Sequence, residues 1–135
     1  MKETLTALTL AFLIFLIIDG IWLSIAVKYI YRPYLGDIIS DKPVIWAAVL
    51  FYLLFPIGLT LVVINPTMIN GDIMKAMFLG AIFGLVAYGT YNLTNMATVK
   101  NWAYQIVIID MIWGSLLTGI TSGLTVFLIK LFYNN

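Results

Sequence analysis

Two aspartates within long apolar segments are the side chains of this sequence best placed to do chemistry. Asp19 and Asp110 lie in one shared pattern, I-I-D-x-I-W-x-S, which reads IIDGIWLS around the first acid and IIDMIWGS around the second. Trp22 and Trp113 each follow their acid by three residues, about 60° around a helix, so acid and indole share a face. The repeat indicates that the two acids occupy related positions. A chance match between isoleucine-rich segments is the alternative.

The two acids are predicted to lie at the same depth in a membrane. Asp19 precedes Lys28 by nine residues and Asp110 follows Lys100 by ten, and these two lysines mark the same membrane face. At about 1.5 Å per residue, both acids lie roughly 13 to 15 Å below that surface. The helices offer them no basic partner, and an ionised carboxylate in hydrocarbon is costly. Three states therefore remain open: the acids are protonated, they share a wet cavity, or they hold a cation.

The third apolar segment supplies polar partners for the acids. On a helix, its small residues and its hydroxyl and amide side chains share one face, within an arc of about 80°. Helix packing is the alternative for the glycines and threonines of the chain. We expect a cavity that opens toward the first and third loops, with Phe12 and Phe15 sealing the other half. The predicted ligand-binding residues are Asp19, Trp22, Tyr88, Tyr91, Asn92, Asn95, Asp110 and Trp113.

The elements that must hold these residues are membrane-spanning helices. The chain has 135 residues, of which 63% are hydrophobic and 10% charged. Soluble domains contain about 45 to 50% apolar residues, and a small domain cannot bury such an excess. Four apolar runs, at about 5–27, 44–64, 73–92 and 104–128, match the roughly 20 helical residues that cross a bilayer. We therefore predict an all-α fold, an integral membrane four-helix antiparallel bundle that forms a single transmembrane domain over 1–135.

The composition excludes several kinds of site. The sequence contains no Cys and no His, which removes disulfides, a thiolate nucleophile, an imidazole base and a typical zinc site. A formal net charge of +1 provides no clustered basic surface for nucleic acid. No nucleophile motif, phosphate-binding loop or metal motif is recognisable in the sequence. We accordingly expect no metal, no cofactor and no nucleic-acid partner.

Several short motifs together carry a resemblance to a known family. The run YNLTNMATVKNW begins at Tyr91 and is followed by DMIWG at Asp110, while D-x-x-W-L at Asp19 and A-A-x-x-F-Y at Ala47 complete the pattern. In these motifs, over nearly the whole chain, the sequence resembles short bacterial predicted membrane proteins catalogued as a domain of unknown function. The resemblance implies four helices, a bacterial cytoplasmic membrane location and no established activity. Family members more often carry an acid where this chain has Asn92, so a role for a third carboxylate is not expected here.

Three classes of function remain open at this point. In the first, the protein binds or transports a small polar or cationic solute, with the two acids as charge partners, the aromatic rings as a wall and the amides as orienting groups. In the second, it is an enzyme or accessory factor acting on membrane lipids, with one acid protonated and the other ionised, and its catalytic residues are unassigned. In the third, it is an interaction subunit of a membrane complex. The expected partners are the lipid bilayer and a small polar or cationic ligand or lipid headgroup, and a homodimer is left open.

Overall fold

The computed structural model of this chain, which describes residues 1–133, consists mainly of four long helices. They are α1 (Lys2–Ile38), α2 (Ile45–Met68), α3 (Ile73–Thr98) and α4 (Tyr104–Tyr133). Each is long and apolar enough to cross a membrane, for which about 20 residues suffice. The prediction of an all-α membrane bundle is confirmed. The last two residues of the predicted domain over 1–135 lie outside the described residues.

Neighbouring helices run antiparallel, as their side-chain contacts show. Gly80 of α3 lies against Ser122 of α4, and Gly84 lies against Thr118, so residue numbers rise along one helix as they fall along the other. The same holds between α1 and α2, where Phe15 stacks on Phe55 and Asp19 bonds to the hydroxyl of Tyr52.

The first helix extends further than the sequence predicted. We expected it to end near Val27, but the chain continues through a π-helical turn over Val27–Tyr31 and an α-helical turn over Arg32–Leu35 before a short 3-10 turn. Pro33 does not interrupt it, because it lies in the first turn of its segment, where its missing N–H is not required. Gly36, with a φ of 56°, ends the regular helix. Residues 28–35, which the prediction placed beyond the end of the span, therefore lie on a helix.

The third and fourth helices also pass their predicted ends. We expected α3 to end near Asn92, but it continues to Thr98. The hydroxyls of Thr94 and Thr98 donate to carbonyl oxygens four residues earlier, at 2.5 and 2.8 Å. These bonds satisfy the hydroxyls within the helix, so a polar stretch remains helical. α4 begins where predicted and extends past the predicted end near 128 to Tyr133, the last described residue.

The second helix passes through two prolines. Pro56 is buried within it, and a π-helical turn over Thr60–Ile64 follows one turn later. Pro66 lies between the predicted spans 44–64 and 73–92, but the chain is helical over Asn65–Met68, because this proline lies in the first turn of that segment, where proline is tolerated. The predicted end near 64 is therefore wrong by one helical turn.

Close packing of α3 on α4 depends on glycines. A Cβ added at Gly80 would lie 2.7 Å from the carbonyl oxygen of Thr118, and one added at Gly84 would overlap the backbone of Gly114. Small residues let membrane helices approach to backbone contact, which is where much of their association energy arises. The two helices therefore form a rigid pair against which α1 and α2 are placed.

Replacing Gly84 by Ala should destabilise the protein. The new Cβ would meet backbone atoms that cannot rotate away, and overpacking of this kind costs about 1–3 kcal/mol. Gly20→Ala is the matched control, because nothing lies within 4 Å of a Cβ at Gly20. In thermal melts in one detergent, only Gly84→Ala should melt earlier than the parent. Equal melting temperatures for the two variants would show that α3 and α4 do not pack through this glycine.

The end of the bundle away from the first and third loops is filled by small and branched side chains. Phe15 is fully buried where this core meets the middle of the bundle. At the loop end, the first half of α2 is exposed on its outer face, as a lipid-facing helix would be. The bundle is thus tightly packed at one end and more open at the other. The core residues are Ala7, Ala11, Leu59, Val63, Ile64, Ala76, Val126 and Ile129.

Candidate functional site

Asp19 is held at the middle of the bundle by donors from two other helices. Its side chain is only 5% exposed. One carboxylate oxygen accepts a hydrogen bond from the Tyr52 hydroxyl at 2.5 Å, and the other accepts one from the Trp113 indole Nε1 at 3.0 Å. Both donors are neutral, so they satisfy the oxygens without cancelling the charge of an ionised carboxylate.

Asp110 has a matching arrangement. It is 8% exposed, and its oxygens accept hydrogen bonds from the Tyr31 hydroxyl and from Nδ2 of Asn92, both at 2.5 Å. The Asn92 amide also donates to the carbonyl oxygen of Tyr88 at 2.9 Å, which fixes its orientation on α3. Oδ1 of the buried Asn92 has no hydrogen-bond partner within residues 1–133.

The two tryptophans of the repeated pattern connect the acids. The rings of Trp22 and Trp113 stack with centroids 4.3 Å apart and planes 10° from parallel. Trp113 donates directly to Asp19, whereas Trp22 donates to the hydroxyl of Tyr31 at 3.2 Å, and that hydroxyl donates to Asp110. Each helix of the repeat thus contributes a tryptophan that supports the acid on the other helix. The repeat corresponds to a real structural pairing at the centre of the bundle.

No basic side chain compensates the two acids within the described part of the chain. The salt bridge found there joins the exposed Arg32, near the end of α1, to the exposed Asp41 of the first loop. Residues 1–133 also contain no group of three or more Asp, Glu, His or Cys side chains able to hold a metal ion. The site is therefore two carboxylates surrounded by neutral donors and aromatic rings.

A cavity of about 720 Å³ adjoins this network. Its walls come from all four helices, and residues of the first loop and the start of α4 lie at its outer end. Apart from the two acids, its lining is aromatic or aliphatic. The lining residues are Asp19, Trp22, Leu23, Val27, Tyr31, Leu35, Ile38, Ile39, Ala48, Phe51, Tyr52, Phe55, Ala87, Tyr88, Tyr91, Trp102, Ile106, Asp110 and Trp113.

The structure brings together most of the residues that the sequence singled out. Six of the eight line the cavity, namely both acids, both paired tryptophans and two tyrosines of α3. Asn92 stands behind Asp110 as its hydrogen-bond donor. Asn95 does not line the cavity. Whether any of these residues contacts a ligand stays a prediction.

Two tyrosines of the network were not predicted as site residues. Tyr31 lies near basic residues at the end of a predicted span, where a tyrosine is typical of an interfacial anchor. Its position depends on the π-helical turn over Val27–Tyr31, and an extra residue per turn of this kind is common at functional sites. Tyr52 carried a weak signal, because it is a polar-tipped residue in an otherwise apolar span, one turn before Pro56.

Removing the Tyr31 hydroxyl should weaken the network. In Tyr31→Phe, Asp110 loses one of its two donors and Trp22 loses its acceptor, and an unsatisfied buried polar group costs about 1–3 kcal/mol. Tyr29→Phe is the matched control, because Tyr29 is exposed and carries the same change two residues away. We expect a lower melting temperature for Tyr31→Phe alone. A melt identical to that of the control would show that the hydroxyl does not support Asp110.

Comparison with known proteins gives one family match. The family described as "Predicted membrane protein (DUF2177)" matches residues 4–127. No curated protein and no solved structure matches the chain.

Proposed function

We propose that this chain, which belongs to the family described as Predicted membrane protein (DUF2177), binds or transports a small polar or cationic solute in the cavity beside Asp19 and Asp110. The observation that carries the proposal is the pair of buried carboxylates whose hydrogen-bond partners are all neutral. Acids within a membrane span are expensive and usually serve a function.

The surroundings of the acids suit a cation better than another kind of solute. The stacked Trp22 and Trp113 and the ring of Tyr88 surround the acids with aromatic faces and edges. Aromatic faces attract cations, especially where water is excluded. An anion would meet two carboxylates and no basic group in this part of the described chain. A cavity of about 720 Å³ lies within the range of about 300 to 1,000 Å³ typical of small-molecule sites.

The packing below the cavity favours a binding site or an alternating carrier over an open channel. Phe15 is fully buried and packs on Phe51, Tyr52 and Phe55. The core cluster beyond it shares no residue with the cavity lining. A solute that crosses the membrane through this protein would therefore need the helices to rearrange.

Tryptophan fluorescence tests the proposal directly. Of the four tryptophans in the chain, Trp22, Trp102 and Trp113 line the cavity. In a Trp46→Phe variant, the tryptophan emission therefore comes from residues that line the cavity. Tetramethylammonium should change the emission saturably, whereas tert-butanol, an uncharged molecule of similar size, should not. Absence of a saturable response to tetramethylammonium would overturn the proposal and favour an interaction subunit. Uptake of radiolabelled tetramethylammonium into proteoliposomes then separates transport from binding.

A further inference from the structure

We propose that the ligand of this cavity is a membrane-partitioning amphiphile, with an amine or quaternary ammonium head at the two aspartates and an apolar tail leaving between α2 and α3. This inference rests on the proposed cation site and names its ligand class. Three features carry it: the character of the cavity walls, a gap between two helices, and a second groove that continues from the gap.

The walls of the cavity suit an apolar body with one charged end. Asp19 and Asp110 are the acidic side chains of the lining. The stacked tryptophans and their hydrogen bonds connect the two acids, so the acids lie in one part of the cavity rather than at opposite ends. Away from them the lining consists largely of aliphatic and aromatic side chains. A small hydrated cation would leave most of this surface uncovered, whereas an amphiphile covers it and still places its charge at the carboxylates.

A gap between α2 and α3 connects the cavity with the hydrocarbon of the bilayer. The two helices meet where Phe55 contacts Phe83 and Tyr88, with ring centroids 5.6 and 6.1 Å apart. On the loop side of that contact, Phe51 and Tyr91 line the cavity from opposite helices and are 38% and 56% exposed. Both side chains belong to membrane-spanning segments, so the part of their exposed surface that does not face the cavity meets lipid.

The gap has a simple cause in the sequence of α3. Phe83, Ala87 and Tyr91 are spaced four residues apart and form one row along the helix. The middle member of this row, Ala87, is much smaller than the aromatic residue on either side, so it leaves a depression in the surface of α3. Ala87 lines the cavity and also lines a second groove.

The second groove continues the gap between α2 and α3 toward the other end of the bundle. The gap and this groove together form a seam between the two helices. It has a volume of about 360 Å³ and lies between Val62 and Val63 of α2 and Leu79 and Phe83 of α3. Its lining is entirely apolar. From Tyr91 to Leu79 the seam follows α3 for about 18 Å at 1.5 Å per residue. This matches the thickness of one hydrocarbon leaflet, which is half of about 30 Å.

The test compares two quaternary ammonium probes with the same head. Tetramethylammonium carries no tail, and dodecyltrimethylammonium carries one. With the full chain in lipid nanodiscs and cavity tryptophan fluorescence as readout, the dodecyl probe should bind at least about tenfold more tightly. Ala87→Phe fills the depression at Ala87 and should remove most of the tighter binding of the dodecyl probe. Ala47→Phe is the matched control, because Ala47 is exposed and lines neither the cavity nor the groove.

The outcomes separate this inference from the proposed function. Partition into the bilayer is the same for both variants, so a chain-length advantage, measured as the ratio of the dissociation constants of the two probes, that is lost only in Ala87→Phe supports passage of the tail along the seam. An equal advantage in both variants overturns the inference, while tetramethylammonium binding that still requires the aspartates leaves the proposed function standing. If the parent responds to neither probe, the proposed function itself fails. Ala87→Leu, a smaller filling of the same point, replaces Ala87→Phe if that variant does not fold.

Discussion

Asp110→Asn is expected to weaken cation binding strongly while leaving the fold intact. Loss of one charge partner from a buried site should weaken tetramethylammonium binding by about a hundredfold, since such losses cost about 2–5 kcal/mol. Asn keeps the size of the side chain and can still accept from Tyr31. Its new amide can donate to Oδ1 of Asn92, which has no partner within residues 1–133. For this bond, the side-chain amide of Asn92 rotates so that its oxygen faces position 110. A buried charge disappears, so the melting temperature should stay the same or rise.

The control for this substitution is the same change at an exposed acid. Asp37 lies in the short 3-10 turn at the end of α1 and is exposed, so Asp37→Asn should alter neither the binding curve nor the melt. Fluorescence titration and thermal melts on detergent-solubilised protein measure both properties on the same samples. If Asp110→Asn instead lowered the melting temperature with no separate loss of binding, the acid would be a structural group that holds helices together.

Trp113→Ala is expected to give the largest loss of stability. The indole of Trp113 stacks on Trp22 and donates to Asp19, so its removal leaves a cavity and an unsatisfied carboxylate oxygen together. Truncation of a fully buried tryptophan costs about 3–5 kcal/mol, and we expect a loss near the lower end of this range because Trp113 is partly buried. Unfolding by titration with a denaturing detergent, followed by circular dichroism, measures the loss.

Two companion variants separate the parts of this effect. Trp46→Ala, at a side chain that is 71% exposed, should stay within about 0.5 kcal/mol of the parent. Trp113→Phe keeps a ring over Trp22 but removes the N–H, and it should lose about 1–3 kcal/mol for the unsatisfied oxygen of Asp19. Equal effects of Trp113→Ala and Trp46→Ala would show that the stacked pair does not hold the two halves of the site together.

The four spans could be predicted because membrane insertion depends on composition over about 20 residues, and the chain has few charges to interrupt them. Helix ends were predicted less well. The extension of α3 to Thr98 depends on threonine hydroxyls bonding within the helix, and the extension of α1 depends on a π-helical turn before Pro33. Neither feature changes the hydropathy pattern from which the ends were predicted.

The residues of the candidate site could also be predicted only in part. Asp19 and Asp110 could be located, because spacing from flanking lysines gives depth and the shared tryptophan spacing gives a common face. Tyr31 could not, because a tyrosine beside basic residues is also typical of an interfacial anchor. Only the tertiary arrangement shows that its hydroxyl lies between Trp22 and the second acid. Hydrogen bonds between side chains of different helices leave no local signal in the sequence.

The central claim is that the two acids form one site, and a double-mutant cycle of thermal melts over a pH series tests it most directly. Within residues 1–133, the titratable groups that face them are Tyr31 on α1, Tyr52 on α2, and Tyr88 and Tyr91 on α3, and these are the same in every variant. If Asp19 and Asp110 share a site, Asp19→Asn must alter the titration of Asp110. The effects of the two substitutions should then differ from additivity by at least about 0.5 kcal/mol, by an amount that changes with pH. Additive shifts that are independent of pH would show that the acids act separately and would contradict the account.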